Sequence, residues 1–393
     1  MTDTLYQFIQ EHKDDNLDRL LLSAKHYPGI DVTFVVEQIS IRRQIRDKLP
    51  AWYANKQLIF PSRIAAEQCS SEQTARYKQR LLEGERHVCD LTGGMGVDTY
   101  YFSQQVNQVS YVECIDQYFD AAIYNFSVLQ ADNIQCYHND ARSMINRLEA
   151  VDTFYIDPAR RGTGNTRVFA LSDCEPDLLM LLPTLQKKAQ KVIAKFSPML
   201  DIKHTLNLLP QTSEIHVVSI KNECKELIFI LKSDMVEAPV IHCANYTSDG
   251  SEQSFCFRMS DENVSRQMIA DQVESYLYEP NASVLKAGAY KQIALKKGVK
   301  KLHVSSHLYT SDRIIGDFPG RIFKITTVHL FNGKWCKTIV RQIPKANISV
   351  RNFPMTVNEL RKRVRIAEGG DIYLFATTLS NNRKVIIQCE KLF

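Results

Sequence analysis

The chain has 393 residues, 44% hydrophobic and 24% charged, with 15 glycines and 13 prolines. Such a composition fits a globular protein of two to four folding units and excludes a disordered, collagen-like or disulfide-stapled one. The net charge of +5 conceals two opposed parts: residues 280–393 hold 21 Lys and Arg against 6 Asp and Glu, while residues 1–279 hold 28 against 38. A basic third joined to an acidic body is the electrostatic footprint of a polyanion binder, with RNA the first candidate. No apolar run approaches the roughly 20 residues of a membrane-spanning helix. The N-terminus MTDTLYQFIQEHKDD has no basic segment followed by an apolar one, so the expected location is the cytoplasm. The ten cysteines form no CxxC pair and several stand in apolar strand-like runs. They read as reduced, buried thiols, with neither a disulfide framework nor a bound metal expected.

Along residues 1–82, Leu17, Leu20, Leu21 and Ala24, then Val32, Val35, Val36 and Ile39, recur at helical spacing. They predict a helical N-terminal domain divided by Pro50 and Pro61. Over residues 83–235 the runs HVCDL, VSYVEC, IQCYHN, DTFYIDP and KVIAKFS alternate with VDTYYFSQQV, YFDAAIYNFSVLQ and SMINRLEA. That alternation means βαβ units and a parallel sheet. EIHVVSI and ELIFILK follow with only KNECK between them, too short for a crossover helix, so they form an antiparallel hairpin. The predicted fold is α/β: the Rossmann-like class I methyltransferase sheet of seven strands, parallel with a terminal antiparallel hairpin. Residues 236–321 carry connecting strands and a small α+β unit, and residues 322–393 a second one.

The cofactor reading begins with Asp90 at the end of the first strand, followed by Thr92, Gly93, Gly94, Gly96 and Asp98. Glycines allow a sharp turn and close backbone approach to a ligand. A dinucleotide fingerprint shares that logic, but a carboxylate just before the turn repels a pyrophosphate and suits the cationic amino-acid end of S-adenosylmethionine. Glu113 ends the second strand, where it can accept from both ribose hydroxyls, and Asp140 with Ala141 follows the third, where adenine is contacted.

Together with Ser70-Ser-Glu-Gln-Thr-Ala75, the motifs Asp90-Leu-Thr-Gly-Gly-Met-Gly-Val-Asp98, Ile156-Asp-Pro-Ala-Arg-Arg161, Lys195-Phe-Ser-Pro-Met-Leu-Asp201 and Asn222-Glu-Cys-Lys-Glu226 resemble the bacterial class I S-adenosylmethionine-dependent methyltransferases with C-terminal ferredoxin-like and THUMP-like domains. The resemblance covers most of the chain, with a ferredoxin-like segment around residues 278–320 and a THUMP-like RNA-binding segment around 322–393. It implies S-adenosyl-L-methionine as cofactor and RNA methylation, on rRNA or tRNA.

For the reaction, the fourth strand delivers Asp157 and Pro158. Amino-methyltransferases place Asp/Asn-Pro-Pro-aromatic here, with an acceptor for the exocyclic N–H and a ring that stacks on the base. Ala159 and Arg160 replace the second proline and the ring. The Asp-Pro-Pro-Arg of uridine C5 enzymes is closer, but the cysteine they need is absent from Lys195-Phe-Ser-Pro. Lys78, Asp157, Lys195 and Glu226 also follow the order of the Lys-Asp-Lys-Glu tetrad of ribose 2′-O-methyltransferases, and Lys78 is expected to contact the substrate RNA. Arg160 and Arg161 read as phosphate clamps, or as surface arginines paired with Asp173 and Glu175. A helix bearing Arg361, Lys362, Arg363 and Arg365 before Gly369-Gly370 suits an RNA backbone, although four nearly consecutive charges cannot share one face. Direct methyl transfer to an RNA base nitrogen is the leading expectation, with Asp157, Pro158 and Lys195 at the reaction site. Ribose methylation and an RNA-binding protein with a vestigial methyltransferase fold are the alternatives.

Overall fold

The β-branched and aromatic runs after residue 86 form strands where the alternation predicts them: β1 (His87–Asp90), β2 (Gln108–Glu113), β3 (Ile134–His138), β4 (Thr153–Ile156), β5 (Lys191–Phe196), β6 (Thr212–Ile220) and β7 (Glu223–Lys232). In this computed structural model, which describes residues 3–160, 171, 174–233 and 238–392, two further strands, β8 (Val240–Tyr246) and β9 (Glu252–Arg258), join the same sheet. Its order is β9-β8-β6-β7-β5-β4-β1-β2-β3. The strands β3, β2, β1, β4 and β5 pair in parallel. β6 and β7 are joined by Lys221 and Asn222, both at positive φ (51° and 63°), the two-residue hairpin turn whose twist matches its strands. The connecting strands are therefore part of the large sheet. β8 lies parallel to β6 and β9 antiparallel to β8, which covers an edge that seven strands would leave open.

Strand order reverses between β1 and β4. Chains leaving those neighbouring carboxyl ends run to opposite sides and open a crevice there, the general ligand position in such sheets. Asp90 is in register with Tyr111 of β2 and Tyr155 of β4, which places it at that point.

The chain divides into two compact units, Met1–Thr212 with Ile228–Met235, and Ser213–Leu227 with Val236–Phe393. In the first, residues 3–80 are helical, as predicted: Asp3–Glu11, Leu17–Leu22, Val32–Ile45, Pro50–Ala54, Arg63–Gln68 and Glu72–Arg80. Pro50 opens a helix at its first turn, where its missing N–H costs nothing. The first helices close a core of their own, Phe8, Ile9, Leu20, Val32, Val35 and Ile39, whereas Ile41, Ile45, Leu49, Trp52, Leu58 and Phe60 pack with Met95, Val97 and Tyr101 of the glycine turn and its helix. The Asn125 amide seals the join, accepting from Ile59 N–H at 2.9 Å and donating to Ile59 C=O at 2.7 Å.

In the second unit, β10 (Tyr276–Pro280), β11 (Lys300–Lys301), β12 (Tyr309–Ser311), β13 (Gly320–Leu330), β14 (Lys345–Arg351), β15 (Ala367–Thr378) and β16 (Lys384–Lys391) make one sheet in the order β11-β12-β10-β13-β16-β15-β14. The long β13 pairs with β10 on one side and β16 on the other, so the two expected α+β segments share it. Glu279, 3% exposed, is clamped by Arg321, whose Nε donates at 2.8 Å, and by Arg351, whose Nη2 lies 2.7 Å away.

Because Trp52 is 1% exposed in a core shared by the N-terminal helices and the glycine-turn helix, Trp52→Ala should destabilise the whole first unit by about 3–5 kcal/mol. Denaturant unfolding should show a lower midpoint in one transition. A separate transition for the helices Pro50–Ala54 and Arg63–Gln68 would contradict the shared core.

Candidate active site

The turn after β1 is shaped by its glycines. Gly94 and Gly96 have φ of +55° and +79°, a region side chains avoid. A Cβ on Gly93 would run into the Tyr111 ring. Gly96 leads into the helix Val97–Ser103. Tyr111 Oη donates to Gly94 C=O at 2.6 Å, and Gly94 N–H donates to Glu113 Oε2 at 2.7 Å. Glu113 Oε1 accepts from Cys114 and Ile115 N–H, each at 2.8 Å. Three of the roughly four acceptor positions of the carboxylate thus hold the turn and the end of β2. One remains for a ligand hydroxyl, which narrows the expected pair of ribose contacts to a single one in this arrangement.

Asp90 is 1% exposed and faces inward: Oδ1 accepts from Thr92 N–H at 3.0 Å and Oδ2 from Thr99 Oγ1 at 2.6 Å. Burial pushes its carboxyl up to about 7 against the pull of those two hydrogen bonds, and the negative Asp98 and Asp157 push the same way. Asp140 sits at the end of β3 as the cap of Ala141–Arg147, its Oδ1 accepting from Arg142 N–H at 2.9 Å, with Ala141 buried behind it.

Asp157 N–H donates to Thr92 Oγ1 at 2.7 Å, so the β4 end and the glycine turn are tied directly. Lys195 Nζ donates to Asp157 Oδ2, and Pro158 is buried behind the acid. Lys195 and Asp157 side chains keep 13% and 31% of their surface, which leaves the pair accessible to a substrate.

Behind this pair lies a polar cluster that sequence reasoning resolved only in part. Lys78 is 0% exposed. Its Nζ donates to Ser70 Oγ at 2.8 Å and stands 3.2 Å from Asp98 Oδ1. Asp98 Oδ2 accepts from Ser70 Oγ at 2.7 Å and Tyr155 Oη at 2.8 Å. Burial pushes the Asp98 carboxyl up, but the Lys78 and Lys195 charges and these hydrogen bonds outweigh it and hold it below its ordinary value. Lys78 is therefore corrected as an RNA contact: no solvent reaches it, and its charge is matched by Asp98. Asp98 likewise faces this cluster. Ser70 stood in a matched motif without a role, and Thr99 and Tyr155 carried no signal, since their partners are fixed only by folding.

Arg160 pairs through its backbone in a two-residue ribbon, Ala159–Arg160 with Cys174–Glu175. Arg161 and Asp173 lie outside the described residues, and Glu175 pairs with Arg142. Glu226 is buried in β7. In the helix Val357–Val364, Arg361 is turned inward, with Nη1 donating to Ala346 and Ile366 C=O at 3.4 and 3.3 Å. It is corrected from an RNA contact to a brace. Lys362, Arg363 and Arg365 are exposed, with Arg363 5.3 Å above the Phe331 ring.

Residues 276–319 match the family model of a ferredoxin-like domain, and residues 320–391 that of a THUMP-like domain. A crystal structure from Porphyromonas gingivalis W83, provisionally assigned as a methyltransferase, is similar over 99% of this chain and 98% of that one, at 34% identity and a TM-score of 0.91. The chain belongs to that family, class I methyltransferase-fold proteins with ferredoxin-like and THUMP-like domains at the C-terminus. An rRNA methylase from Streptococcus thermophilus (11% identity, 41% of this chain and 96% of that one, TM-score 0.31) matches the chain in part. So does a Streptococcus mutans protein solved with S-adenosylhomocysteine (15% identity, 41% and 96%, TM-score 0.31). At those scores neither carries an argument about activity. Comparison with curated proteins gave no match.

The buried Asp90 predicts a pH dependence. An acid whose folded pKa is raised binds its proton more tightly than the unfolded chain does, so its contribution to stability is full below about pH 4 and lost as pH rises through about 7. Asp90→Asn should remove that loss: its stability relative to wild type should improve between pH 4 and pH 8 in denaturant titrations. A constant difference across that window would show that Asp90 is ionised throughout.

Proposed function

We propose that the protein is an S-adenosylmethionine-dependent RNA methyltransferase that transfers a methyl group directly to a base nitrogen. The observation that carries this reading is the bond from Asp157 N–H to Thr92 Oγ1 at 2.7 Å, which joins the cofactor-type turn to an accessible acid at the switch point of the sheet. The residues fit the cofactor: the turn excludes side chains at Gly93, Glu113 keeps an acceptor position, and Asp140 stands at the end of β3. A cationic group beside Asp90 would favour its ionised form. The THUMP-like match over 320–391 and the exposed Lys362, Arg363 and Arg365 support RNA as the substrate class, and the absence among the described residues of a helix long and apolar enough to cross a membrane is compatible with it.

When bound, the cofactor would supply an electrophilic methyl group on a sulfonium, whose C–S bond would break as the N–C bond forms and leave the neutral thioether. The protein's part is to hold the acceptor nitrogen in line with that carbon, where positioning provides most of the acceleration. Asp157 Oδ2 is engaged by Lys195, which fixes the carboxylate plane. Oδ1 is then directed at an exocyclic N–H, orients the nitrogen, and receives the proton that the nitrogen sheds after the N–C bond forms. Ribose methylation is the second reading, favoured by the Lys195–Asp157 ion pair that a tetrad requires. The base remains preferred because Lys78, the upstream lysine of that tetrad, is engaged by Asp98 and Ser70.

Nucleoside mass spectrometry of RNA from a deletion strain should identify the missing modification and supply the substrate. On that RNA, Asp157→Ala should abolish turnover while cofactor affinity stays largely intact. Lys195→Met, which releases the Asp157 carboxylate, should lower the rate only modestly and leave an alkali-sensitive linkage at the modified nucleotide; a 10²–10⁴-fold loss, the usual scale of acid–base catalysis, with an alkali-resistant linkage would establish ribose chemistry. For RNA binding, replacing Lys362, Arg363 and Arg365 together by Ala should reduce the slope of log affinity against log salt by roughly 2 units, about 0.7–0.9 for each phosphate that is no longer neutralised. Arg361→Ala should lower stability and leave the slope unchanged.

A further inference from the structure

We infer that Glu214, His216 and His242 form a binding site for a divalent transition metal of the zinc class. The site is separate from the methyl-transfer residues and does not depend on the function proposed above. β6 and β8 pair in parallel with His216 directly opposite His242, and the two-residue period of a strand puts Glu214 on the same face as His216. Three ligand-type side chains thus converge from two strands, in a pattern that no spacing along the chain reveals.

The distances favour a shared cation over hydrogen bonds. Nε2 of His216 and Nε2 of His242 lie 3.4 and 3.6 Å from the same oxygen, Oε2 of Glu214. These separations are long for N–H···O bonds, which run about 2.7–3.2 Å. They match the edge of a tetrahedron around zinc: bonds of about 2.1 Å to nitrogen and oxygen give ligand–ligand distances of roughly 3.4 Å. All three ligand atoms lie within 4.8 Å of one another. The imidazoles are stacked, centroids 4.6 Å apart at 9°, so a small rotation of the outer ring closes the third edge.

Burial is graded as a metal site needs. His216 is 4% exposed and fixed in the sheet, whereas the His242 and Glu214 side chains keep 37% and 33% of their surface, which gives an ion entry and leaves a fourth position open to water. Two imidazole nitrogens and one carboxylate oxygen favour zinc and its transition-metal neighbours over magnesium or calcium, which prefer all-oxygen shells. A bound ion would pin β6 to β8.

The test uses the full chain stripped by a chelator and titrated with Zn²⁺ by calorimetry, with Co²⁺ as a spectroscopic probe and circular dichroism to confirm folding. We expect one equivalent bound per chain, a higher Tm in the presence of zinc, and visible Co²⁺ bands of four-coordinate intensity. His242→Asn, at the half-buried position, and Glu214→Gln should each weaken binding on the order of 100-fold or more, since loss of even an outer partner of a ligand costs 10–100-fold. Cys256→Ser is the control for adventitious thiol binding: Cys256 is exposed and directly opposite His242 on β9, and its variant should keep the metal. The inference is overturned by the absence of stoichiometric binding, by binding that survives both His242→Asn and Glu214→Gln, or by binding lost in Cys256→Ser alone.

Discussion

A lysine with no exposed surface must be matched by a negative charge held at contact, because an unpaired buried charge costs several kcal/mol. Lys78 and Asp98 satisfy that constraint, and much of the first unit is arranged around them. Ser70 bonds to both members of the pair, Tyr155 reaches Asp98 from β4, and the Lys195 charge acts on the same carboxylate. The N-terminal helices, the helix after the glycine turn and two strand ends are thereby held in one register. Removing either partner would leave the other buried and unmatched. The helices nearest this pair are the ones that share a core with the glycine-turn helix.

The same arrangement sets the Asp157–Lys195 pair in front of the cluster. Thr92 belongs to the glycine turn yet receives the N–H of Asp157, and Lys195 reaches Asp157 from the next strand. A displacement of the turn would therefore move the acid as well. Glu113 does comparable work on the other side, where its carboxylate binds Gly94 and the two residues after β2. The side chains that shape the glycine turn also keep it shaped, so it is preorganised by bonds internal to the chain.

Most of the sheet was legible in the sequence because buried parallel strands are short apolar runs between helical patterns, and their ends carry the acids. Asp90, Glu113, Asp140 and Asp157 could be placed at strand ends for that reason. What was not legible depends on pairing across distance. Ser70 meets Asp98 across 28 residues, and Tyr155 meets it across 57, partnerships that no local pattern records. The burial of Lys78 was not legible because burial of a charge is decided by its partner, here Asp98. Arg361 and Arg363, two residues apart, took different roles because only the first faces the carbonyls of Ala346 and Ile366. The strands β8 and β9 could be seen, but not the pairing of β8 with β6, and with that pairing the juxtaposition of His216 and His242 was hidden too.

The central claim is that the turn between β1 and its helix, closed by Glu113, binds the adenosyl cofactor. Calorimetric titration of the full chain with S-adenosylhomocysteine, alongside Glu113→Ala, tests it most directly. The account predicts one molecule bound per wild-type chain and affinity at least about tenfold weaker in the variant, since a hydrogen bond to a charged group contributes about 1.5–3 kcal/mol. No binding by the folded wild type, or equal affinity in a folded Glu113→Ala, would contradict it.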